Sequence, residues 1–264
     1  MRVFFLGGGN MATAIVSGMS QAGGYDIEVI DRNQNKRQYL IDTYQVRANE
    51  ALPELNADDV LVLAVKPQDM QVATANIRIN GALILSLAAG LTTSILSKFL
   101  HGHQRIIRIM PNTPCQIGLG ISGLFAPATV DGKDKAIAEK IMLTSGSVVW
   151  LDEESGINRI AGISGSGPAY VFYFLNALQQ AAIQQGFSAQ EAHQLSLGTF
   201  KGAVALAEKS GLEFNQLQKN VTSKGGTTFA ATSVFDQHKL TDVVMDGVQA
   251  SIVRAEEMQQ QLTP

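Results

Sequence analysis

Short, nearly continuous hydrophobic runs alternate with longer amphipathic stretches through the first half of the chain. The runs are RVFFLG, IEVID, DVLVLAV, ALILSLA, RIIRIMP and SVVWLD, and helical spacing is clearest over residues 10–21 and 33–44. Strands covered by helices on both faces are continuously apolar, whereas strands with one solvated face alternate. The pattern therefore predicts an α/β fold that begins with a Rossmann-type, doubly wound parallel sheet.

The hydrophobic pattern changes after Asp152, where the strand signals stop. Helical spacing continues to the C-terminus, with breaks near Gly186, Gly211 and Gly225. We therefore predict an α/β domain over residues 1–152 and an all-helical domain over residues 153–264. The stretch AYVFYFLNALQQAAI, which follows Pro168, is apolar on nearly every face. Such a helix needs partners all round, within its own domain or from a second subunit, so a dimer is expected.

Composition and charge exclude several classes of function. Twenty Lys and Arg against 23 Asp and Glu give a net charge of −3, with no basic stripe to neutralise a nucleic acid. The longest apolar stretch, residues 169–178, is interrupted by Asn176 and falls short of the roughly 18 residues that span a bilayer. A single cysteine, Cys115, suits a reducing compartment. We expect a cytoplasmic protein that acts on a small molecule, without nucleic acid or membrane partners.

A glycine turn follows the first predicted strand and opens the first predicted helix. Its pattern is G-x-G-x-x-A, with Gly7, Gly9 and Ala12 at the defining positions. Gly7 allows the tight turn, Gly9 lets the backbone approach a pyrophosphate, and Ala12 lets the helix pack close to the strand. The strand-turn-helix context predicts a dinucleotide site that includes Asn10 and Met11 at the helix start.

The residues that would read the ribose of a dinucleotide give opposing signals. Asp31 ends the second predicted strand, 19 residues after Ala12, where an acid accepts a hydrogen bond from the 2′-hydroxyl of NAD. Arg32 follows at once, and Lys36 and Arg37 come one helical turn later, as in sites that hold a 2′-phosphate. The basic residues are equally consistent with an exposed first helical turn. The sequence leaves the choice between NADH and NADPH open.

Two further strand ends lie on the same predicted edge of the sheet as the glycine turn. One carries Ala64, Val65, Lys66 and Pro67, and the other leads to Asn112 within Met-Pro-Asn-Thr-Pro. Taken singly, a strand-end lysine can simply extend to solvent and an asparagine can simply form a turn. Ligands of open α/β sheets bind at the carboxyl ends of the strands, so the two loops together predict a wall of the cofactor site.

Five motifs, in this order and with about this spacing, resemble those of pyrroline-5-carboxylate reductases. They are the glycine turn, AVKPQ at 64–68, MPNTP at 110–114, SGSGPAY at 164–170 and TSKGGTT at 222–228. The resemblance spans nearly the whole chain. It implies that nicotinamide hydride, from NADPH or also NADH, reduces the C=N bond of 1-pyrroline-5-carboxylate to give L-proline.

The resemblance also implies the substrate site. Backbone N–H groups of Gly225, Gly226 and Thr227 would bind the substrate carboxylate, and the Thr228 hydroxyl would hydrogen-bond the ring nitrogen as the catalytic group. The family's site is shared between the subunits of a homodimer or higher homo-oligomer. This chain departs from the family pattern at Lys224, where proline is usual, and at Thr232, where an aliphatic residue is usual, but neither change removes the proposed donors.

Two other readings compete with imine reduction. In β-hydroxyacid dehydrogenases, a lysine and an asparagine follow a related glycine motif, but the matching positions here are Val171 and Leu175. Both are apolar, which argues against alcohol chemistry. A catalytically silent dinucleotide-binding protein would keep the same fold. No metal is expected, because no histidine has an evident acidic partner in the sequence.

Overall fold

The computed structural model describes residues 1–262, and its first half is built on an eight-stranded sheet. The strands are β1 Arg2–Leu6, β2 Asp26–Ile30, β3 Arg47–Asn49, β4 Val60–Leu63, β5 Leu83–Ser86, β6 Ile106–Met110, β7 Gly120–Phe125 and β8 Gly146–Trp150. Their order across the sheet is β3-β2-β1-β4-β5-β6-β7-β8. Chain connections leave β1 in one direction and β4 in the other, so the carboxyl ends of these two neighbours form the switch point where open sheets bind ligands.

The sheet is parallel from β3 to β6, as predicted, but β7 pairs with β6 in the antiparallel direction. The predicted Rossmann-type sheet is therefore confirmed, while β7 and β8, which are parallel to each other, run opposite to the other strands. The connection over residues 111–119 is too short for a crossover helix, so the chain can only turn back beside β6. β3 and β7 were not predicted, because β3 is very short and β7 is rich in glycine and serine.

The helices pack on both faces of the sheet and then form the second half of the chain. They are α1 Asn10–Ala22, α2 Gln34–Tyr44, α3 Met70–Thr74, α4 Thr93–Phe99, α5 Gly132–Met142, α6 Gly156–Ile160, α7 Gly167–Gln184, α8 Ala189–Ser210, α9 Phe214–Asn220, α10 Thr227–Gln237 and α11 Leu240–Gln261. The predicted breaks at the three glycines are confirmed, since Gly186 and Gly225 lie between helices and Gly211 ends α8 in the left-handed region.

Side-chain caps fix where several of these helices begin. Asn33 accepts a hydrogen bond from the Lys36 amide at the start of α2, and Asp131 caps α5 in the same way. Ser188 and Glu191 form a reciprocal capping box at α8. Each cap satisfies backbone donors that have no partner within the helix and contributes about 1 kcal/mol.

Two hydrophobic cores lie on opposite faces of the sheet. Val3 and Phe5 of β1 belong to one core with α1, while Phe4 and Leu6 belong to the other. Successive strand residues point to opposite faces, so a strand buried on both faces must be apolar at every position. This is why the sequence shows continuous runs, and burying each large apolar side chain stabilises the fold by about 1.5–3 kcal/mol.

Two units emerge from the contacts within the chain. The first comprises Met1–Ser166 together with the chain from Ala250 onward, and the second comprises Gly167–Gln249. Residues 153–166, which the sequence pattern assigns to the helical domain, lie in the first unit. The division after Asp152 stays a prediction about which parts fold as domains.

No helix within residues 1–262 combines the length and the apolar character that crossing a membrane would require.

Candidate active site

The glycine turn after β1 has a backbone geometry that only glycine supplies. Gly7 has a φ of 104°, and a Cβ atom there would lie 3.0 Å from the backbone of Ala64. The turn is held by hydrogen bonds from the Gly7 amide to the Ile30 carbonyl, 2.8 Å, and from the Ala64 amide to the Leu6 carbonyl, 2.9 Å. The ends of β1, β2 and β4 are therefore joined at this point.

The beginning of α1 presents the features that a pyrophosphate requires. Gly9 caps the helix in an extended conformation, and the space that a Cβ atom would occupy there is open. Asn10 is exposed and Met11 is half-buried, whereas Ala12 is buried in the core. The first N–H groups of a helix lack intrahelical partners, and no acidic side chain lies in this first turn to occupy them. The turn can thus hold a phosphate group of a dinucleotide.

Asp31 connects the glycine turn to the start of α2. Its Oδ2 accepts a hydrogen bond from the Gly8 amide and its Oδ1 accepts one from the Asn33 amide, each at 2.8 Å. The side chain is only 13% exposed. Both carboxylate oxygens therefore already hold backbone groups, which leaves the acid less available to a ribose hydroxyl than the sequence alone indicates.

The basic residues after Asp31 divide into two roles. Arg37 turns inward, and its Nη1 donates to the Asp31 carbonyl at 2.6 Å. Arg32 and Lys36 are exposed and line a cavity beside the turn, with the Lys36 Nζ 3.9 Å from the Asp31 carboxylate. Two cations thus flank the place where the ribose of a dinucleotide is expected.

A cavity of about 620 Å³ brings together most of the residues that the sequence assigns to the cofactor. Of those residues, it is lined by Gly7, Gly9, Asp31, Arg32, Ala64, Val65 and Lys66. Pro67 opens a short 3₁₀ turn directly after them, Pro67–Asp69. A volume of this size suits part of a dinucleotide, and its position is the switch point between β1 and β4.

Asn112, predicted for the same wall, has both ends of its amide engaged with protein. Its Oδ1 accepts from the Ile121 amide at 2.9 Å and its Nδ2 donates to the Ser164 carbonyl at 3.1 Å. The residue is 7% exposed. Its direct contact with the cofactor stays a prediction, while its links to β7 and to the segment around Ser164 are features of the fold.

Sequence reasoning missed a buried ion pair beside this wall. The side chain of Arg108 on β6 is 2% exposed, and its Nη1 lies 3.1 Å from Glu154 Oε1, which also accepts from the Thr93 amide at 2.6 Å. Burial lowers the pKa of Arg108, and the attraction of Glu154 opposes that shift. Removing one member would leave an unpaired charge, which typically costs several kcal/mol. The only sequence signal was one charge inside an apolar strand.

Ser164 belongs to an irregular turn that the sequence did not reveal. Residues Ala161–Gly165 form a π-helical turn between α6 and α7, closed by a hydrogen bond from the Ser166 amide to the Ala161 carbonyl at 2.8 Å. The glycine-serine run before Pro168 precedes α7 and widens a helical path that has already begun at α6. Such π turns are frequent at functional sites.

The predicted substrate residues form one turn in the second unit. Gly225 has a φ of 72°, Gly226 caps α10, and Thr227 is its first helical residue. Thr228 follows as a half-buried residue, while Lys224 is exposed. The Gly226 amide already donates to the Ser223 carbonyl at 3.0 Å, so the turn offers the amides of Gly225 and Thr227 together with the Thr228 hydroxyl. This is the arrangement that a carboxylate next to a basic nitrogen would need.

No group of three or more His, Cys, Asp or Glu side chains within residues 1–262 is arranged to hold a metal ion.

Comparisons with known proteins bear on both halves of the chain. Residues 154–258 match the family model described as pyrroline-5-carboxylate reductase dimerisation. Residues 2–90 match the model described as NADP oxidoreductase, coenzyme F420-dependent. The chain is 40% identical to a pyrroline-5-carboxylate reductase of Vibrio alginolyticus, over 98% of this chain and 97% of that protein. It is 34% identical to the enzyme of Haemophilus influenzae, over 97% of each.

Solved structures agree with these matches. A pyrroline-5-carboxylate reductase from Coxiella burnetii superposes with a TM-score of 0.90 at 39% identity, covering 97% of both chains. Plasmodium falciparum pyrroline carboxylate reductase with NADP bound gives a TM-score of 0.83 at 25% identity, covering 98% of both. A prephenate dehydrogenase from Aquifex aeolicus, at 13% identity and a TM-score of 0.52, shares the fold alone.

Proposed function

This chain belongs to the pyrroline-5-carboxylate reductase family, and from that membership we propose how its own residues divide the work of the family's reaction. It is an NAD(P)H-dependent oxidoreductase that reduces the C=N bond of L-1-pyrroline-5-carboxylate to L-proline, the last step of proline biosynthesis. The N-terminal unit supplies the dinucleotide site and the turn before α10 supplies the substrate site.

The dinucleotide site follows from the open space at Gly9. Bound there, the nicotinamide cofactor supplies the hydride. Gly9 and the first N–H groups of α1 hold the pyrophosphate, and the backbone of Ala64 and Val65 borders the same cavity. Lys66 stands exposed at the rim of the cavity, where its charge adds to the attraction for a dianionic pyrophosphate.

The observation that carries the proposed chemistry is the position of Thr228, one residue after the anion-binding donors at the start of α10. Backbone N–H groups of Gly225 and Thr227 fix the substrate carboxylate, and the Gly226 N–H joins them by exchanging its bond to the Ser223 carbonyl. The Thr228 hydroxyl, one residue further along, donates a hydrogen bond to the neighbouring ring nitrogen as that nitrogen becomes an amine. Because a cyclic imine is partly protonated near neutral pH, positioning supplies most of the rate and the hydroxyl assists.

Alcohol oxidation is disfavoured by the residues that would have to perform it. Oxidising an alcohol requires a base, and the matching positions on α7 are Val171 and Leu175. Neither side chain can accept a proton. Imine reduction needs no such base.

We propose that the functional unit is a homodimer or higher homo-oligomer whose sites are shared between subunits. On α7, Phe172 is 65% exposed and Tyr173 is 75% exposed, an apolar surface that water solvates poorly. The match of residues 154–258 to a dimerisation family supports a second copy as its cover. We also propose a cytoplasmic location, since Cys115 is free and buried.

NADPH is our proposed preferred cofactor, with NADH as the weaker alternative. Both carboxylate oxygens of Asp31 accept hydrogen bonds from backbone amides, whereas Arg32 and Lys36 line the cavity. Two cations beside an acid whose oxygens already accept hydrogen bonds from the backbone favour a 2′-phosphate over a 2′-hydroxyl.

The first prediction concerns the hydroxyl of Thr228. Thr228→Ala removes the donor to the ring nitrogen, so kcat should fall on the order of 100-fold, while Thr228→Ser should retain much of the rate. Steady-state kinetics with pyrroline-5-carboxylate measure this, and fluorescence titration of the cofactor should give an unchanged dissociation constant.

Thr232→Ala is the matched control for that prediction. Thr232 lies one turn further along α10, and its hydroxyl donates to the Phe229 carbonyl, so its removal should leave kcat near the wild-type value. An unaltered rate in Thr228→Ala would remove Thr228 from the mechanism.

The second prediction tests whether the site is shared between subunits. Gly9→Val should fold, because nothing lies within 4 Å of the added Cβ, but its side chain should block the pyrophosphate. We expect Gly9→Val and Thr228→Ala to be nearly inactive alone. When the two are unfolded together and reassembled in equal amounts, half of the dimers are mixed. Each mixed dimer then has one intact site, which restores about a quarter of the wild-type activity.

A site contained within one chain gives a different result in the same experiment. Both kinds of site in the mixed dimer would then carry a defect, and reassembly would restore nothing. Wild-type protein taken through the same procedure is the control for the yield of refolding.

The third prediction concerns cofactor choice. Arg32→Ala with Lys36→Ala removes both cations, so KM for NADPH should rise about tenfold or more while KM for NADH changes little. Arg37→Ala is a poor control, because that side chain holds the Asp31 carbonyl. Lys98→Ala, on α4 and outside the residues that line the cavity, is the better one. Equal effects on both cofactors would show that the two cations do not read the 2′-phosphate.

A further inference from the structure

The amide of Asn112 joins three separate parts of the first unit. Asn112 follows β6. Its Oδ1 accepts a hydrogen bond from the Ile121 amide at the start of β7, and its Nδ2 donates one to the Ser164 carbonyl. Both bonds are made inside the protein, since the residue is 7% exposed. An asparagine whose two amide ends are satisfied by backbone groups acts as a fixed bracket.

The segment that Asn112 holds is the π-helical turn Ala161–Gly165. A π turn is less stable than an α-helical one and persists where other contacts enforce it. Here one enforcing contact is the Asn112 bond, and another is close packing at Gly165. A Cβ atom on Gly165 would lie 3.1 Å from the Cε of Met110, the last residue of β6. The turn therefore lies directly against the carboxyl end of β6.

A second polar contact attaches the chain that leads into this turn to the same strand. Glu154 lies before α6 and is held by Arg108 of β6 and by the amide and hydroxyl of Thr93. Residues 154–165 are thus fastened to β6 at both ends, by an ion pair at the start and by an amide at the finish. The position of the segment is set by β6 rather than by its own helical preference.

The π turn is also one wall of a cavity at the active edge of the sheet. The cavity has a volume of about 380 Å³, and its lining includes Gly165 and Ser166 with Met110 and, after β5, Ala89 and Gly90. Met110 is the last residue of β6 and Ala89 and Gly90 follow β5, so this lining lies at the carboxyl ends of the two strands. Open α/β sheets bind their ligands at this edge.

We propose that Asn112 is a positioning residue for imine reduction, which holds the π turn at Ser164 against β6 and so shapes the substrate end of the crevice. This inference rests on the proposed function. It assigns Asn112 no contact with the cofactor: the nicotinamide wall is formed by the backbone that Asn112 keeps in place.

Asn112→Asp tests the proposal with the smallest change of shape. Asp keeps the acceptor for the Ile121 amide, but it replaces the Nδ2 donor with an oxygen that faces the Ser164 carbonyl and repels it. We expect kcat/KM for pyrroline-5-carboxylate to fall about 20-fold or more, with the cofactor dissociation constant within about threefold of wild type. Hydrogen exchange of the peptide around residues 160–167 should accelerate, because the π turn in which the Ser166 amide bonds the Ala161 carbonyl is no longer held at Ser164.

Asn80→Asp is the matched control. Asn80 lies before β5, at the amino ends of the strands, and its Nδ2 likewise donates to a backbone carbonyl, that of Leu55, at 3.0 Å, and also to the Glu54 carboxylate at 2.8 Å. The same chemical change there should lower stability without altering kcat/KM or exchange at residues 160–167. This comparison separates positioning from a general loss of stability.

A second variant keeps the test decisive if Asn112→Asp does not fold. Asn112→Ser removes the bond to the Ser164 carbonyl without adding a charge, so it should give a loss of kcat/KM in the same direction with intact cofactor binding and faster exchange at residues 160–167. Normal kinetics in Asn112→Ser would contradict the proposal.

The outcomes distinguish this inference from the proposed function. A wild-type protein that does not reduce pyrroline-5-carboxylate would refute the function, whereas the exchange measurement would still report whether Asn112 holds the turn. If Asn112→Asp weakens cofactor binding as much as it lowers kcat/KM, Asn112 contacts the cofactor and the positioning role is wrong. Unchanged kinetics and unchanged exchange would also overturn it.

Discussion

The hydrogen bond from the Gly8 amide to the carboxylate of Asp31 ties the glycine turn to the end of β2. Gly7 must take a positive φ within 3.0 Å of the Ala64 backbone, so the same turn is pressed against the end of β4. Three strand ends are thereby fixed around the start of α1, whose free N–H groups can face a phosphate. The geometry of the cofactor cavity depends on this turn. The choice between NADPH and NADH depends on Asp31, because a carboxylate that already accepts backbone hydrogen bonds is less available to a ribose hydroxyl.

Much of the fold could be predicted because burial on both faces of a parallel sheet leaves a direct record in the sequence. Runs such as Phe4 with Phe5 can only belong to a strand with a core on either side. The antiparallel strand β7 left no such record, since Gly120 and Gly123 give it little hydrophobic signal and the short loop before it decides its direction. The π turn was not predicted for a related reason, because contacts with Met110 at the end of β6 and with Asn112 help to set its shape.

The site was predictable to the extent that its chemistry resides in backbone. Gly7, Gly9 and Gly225 mark their own positions, because positive φ values and open approaches demand glycine. Side-chain partnerships were not predictable. Nothing local in the sequence pairs Arg108 with Glu154, or Asn112 with Ser164, since each partner is distant along the chain. The distinction from dehydrogenases of similar fold likewise rests on single side chains, among them Val171, rather than on architecture.

Imine reduction by this chain is tested most directly by mixing the purified wild-type protein with reduced cofactor and L-1-pyrroline-5-carboxylate. Absorbance reports the consumption of NADPH or NADH, and amino-acid analysis reports the product. Our account predicts that cofactor is consumed only when the imine is present, with one L-proline formed for each cofactor oxidised, and faster with NADPH. Protein that binds either cofactor yet consumes neither in the presence of the imine would contradict it.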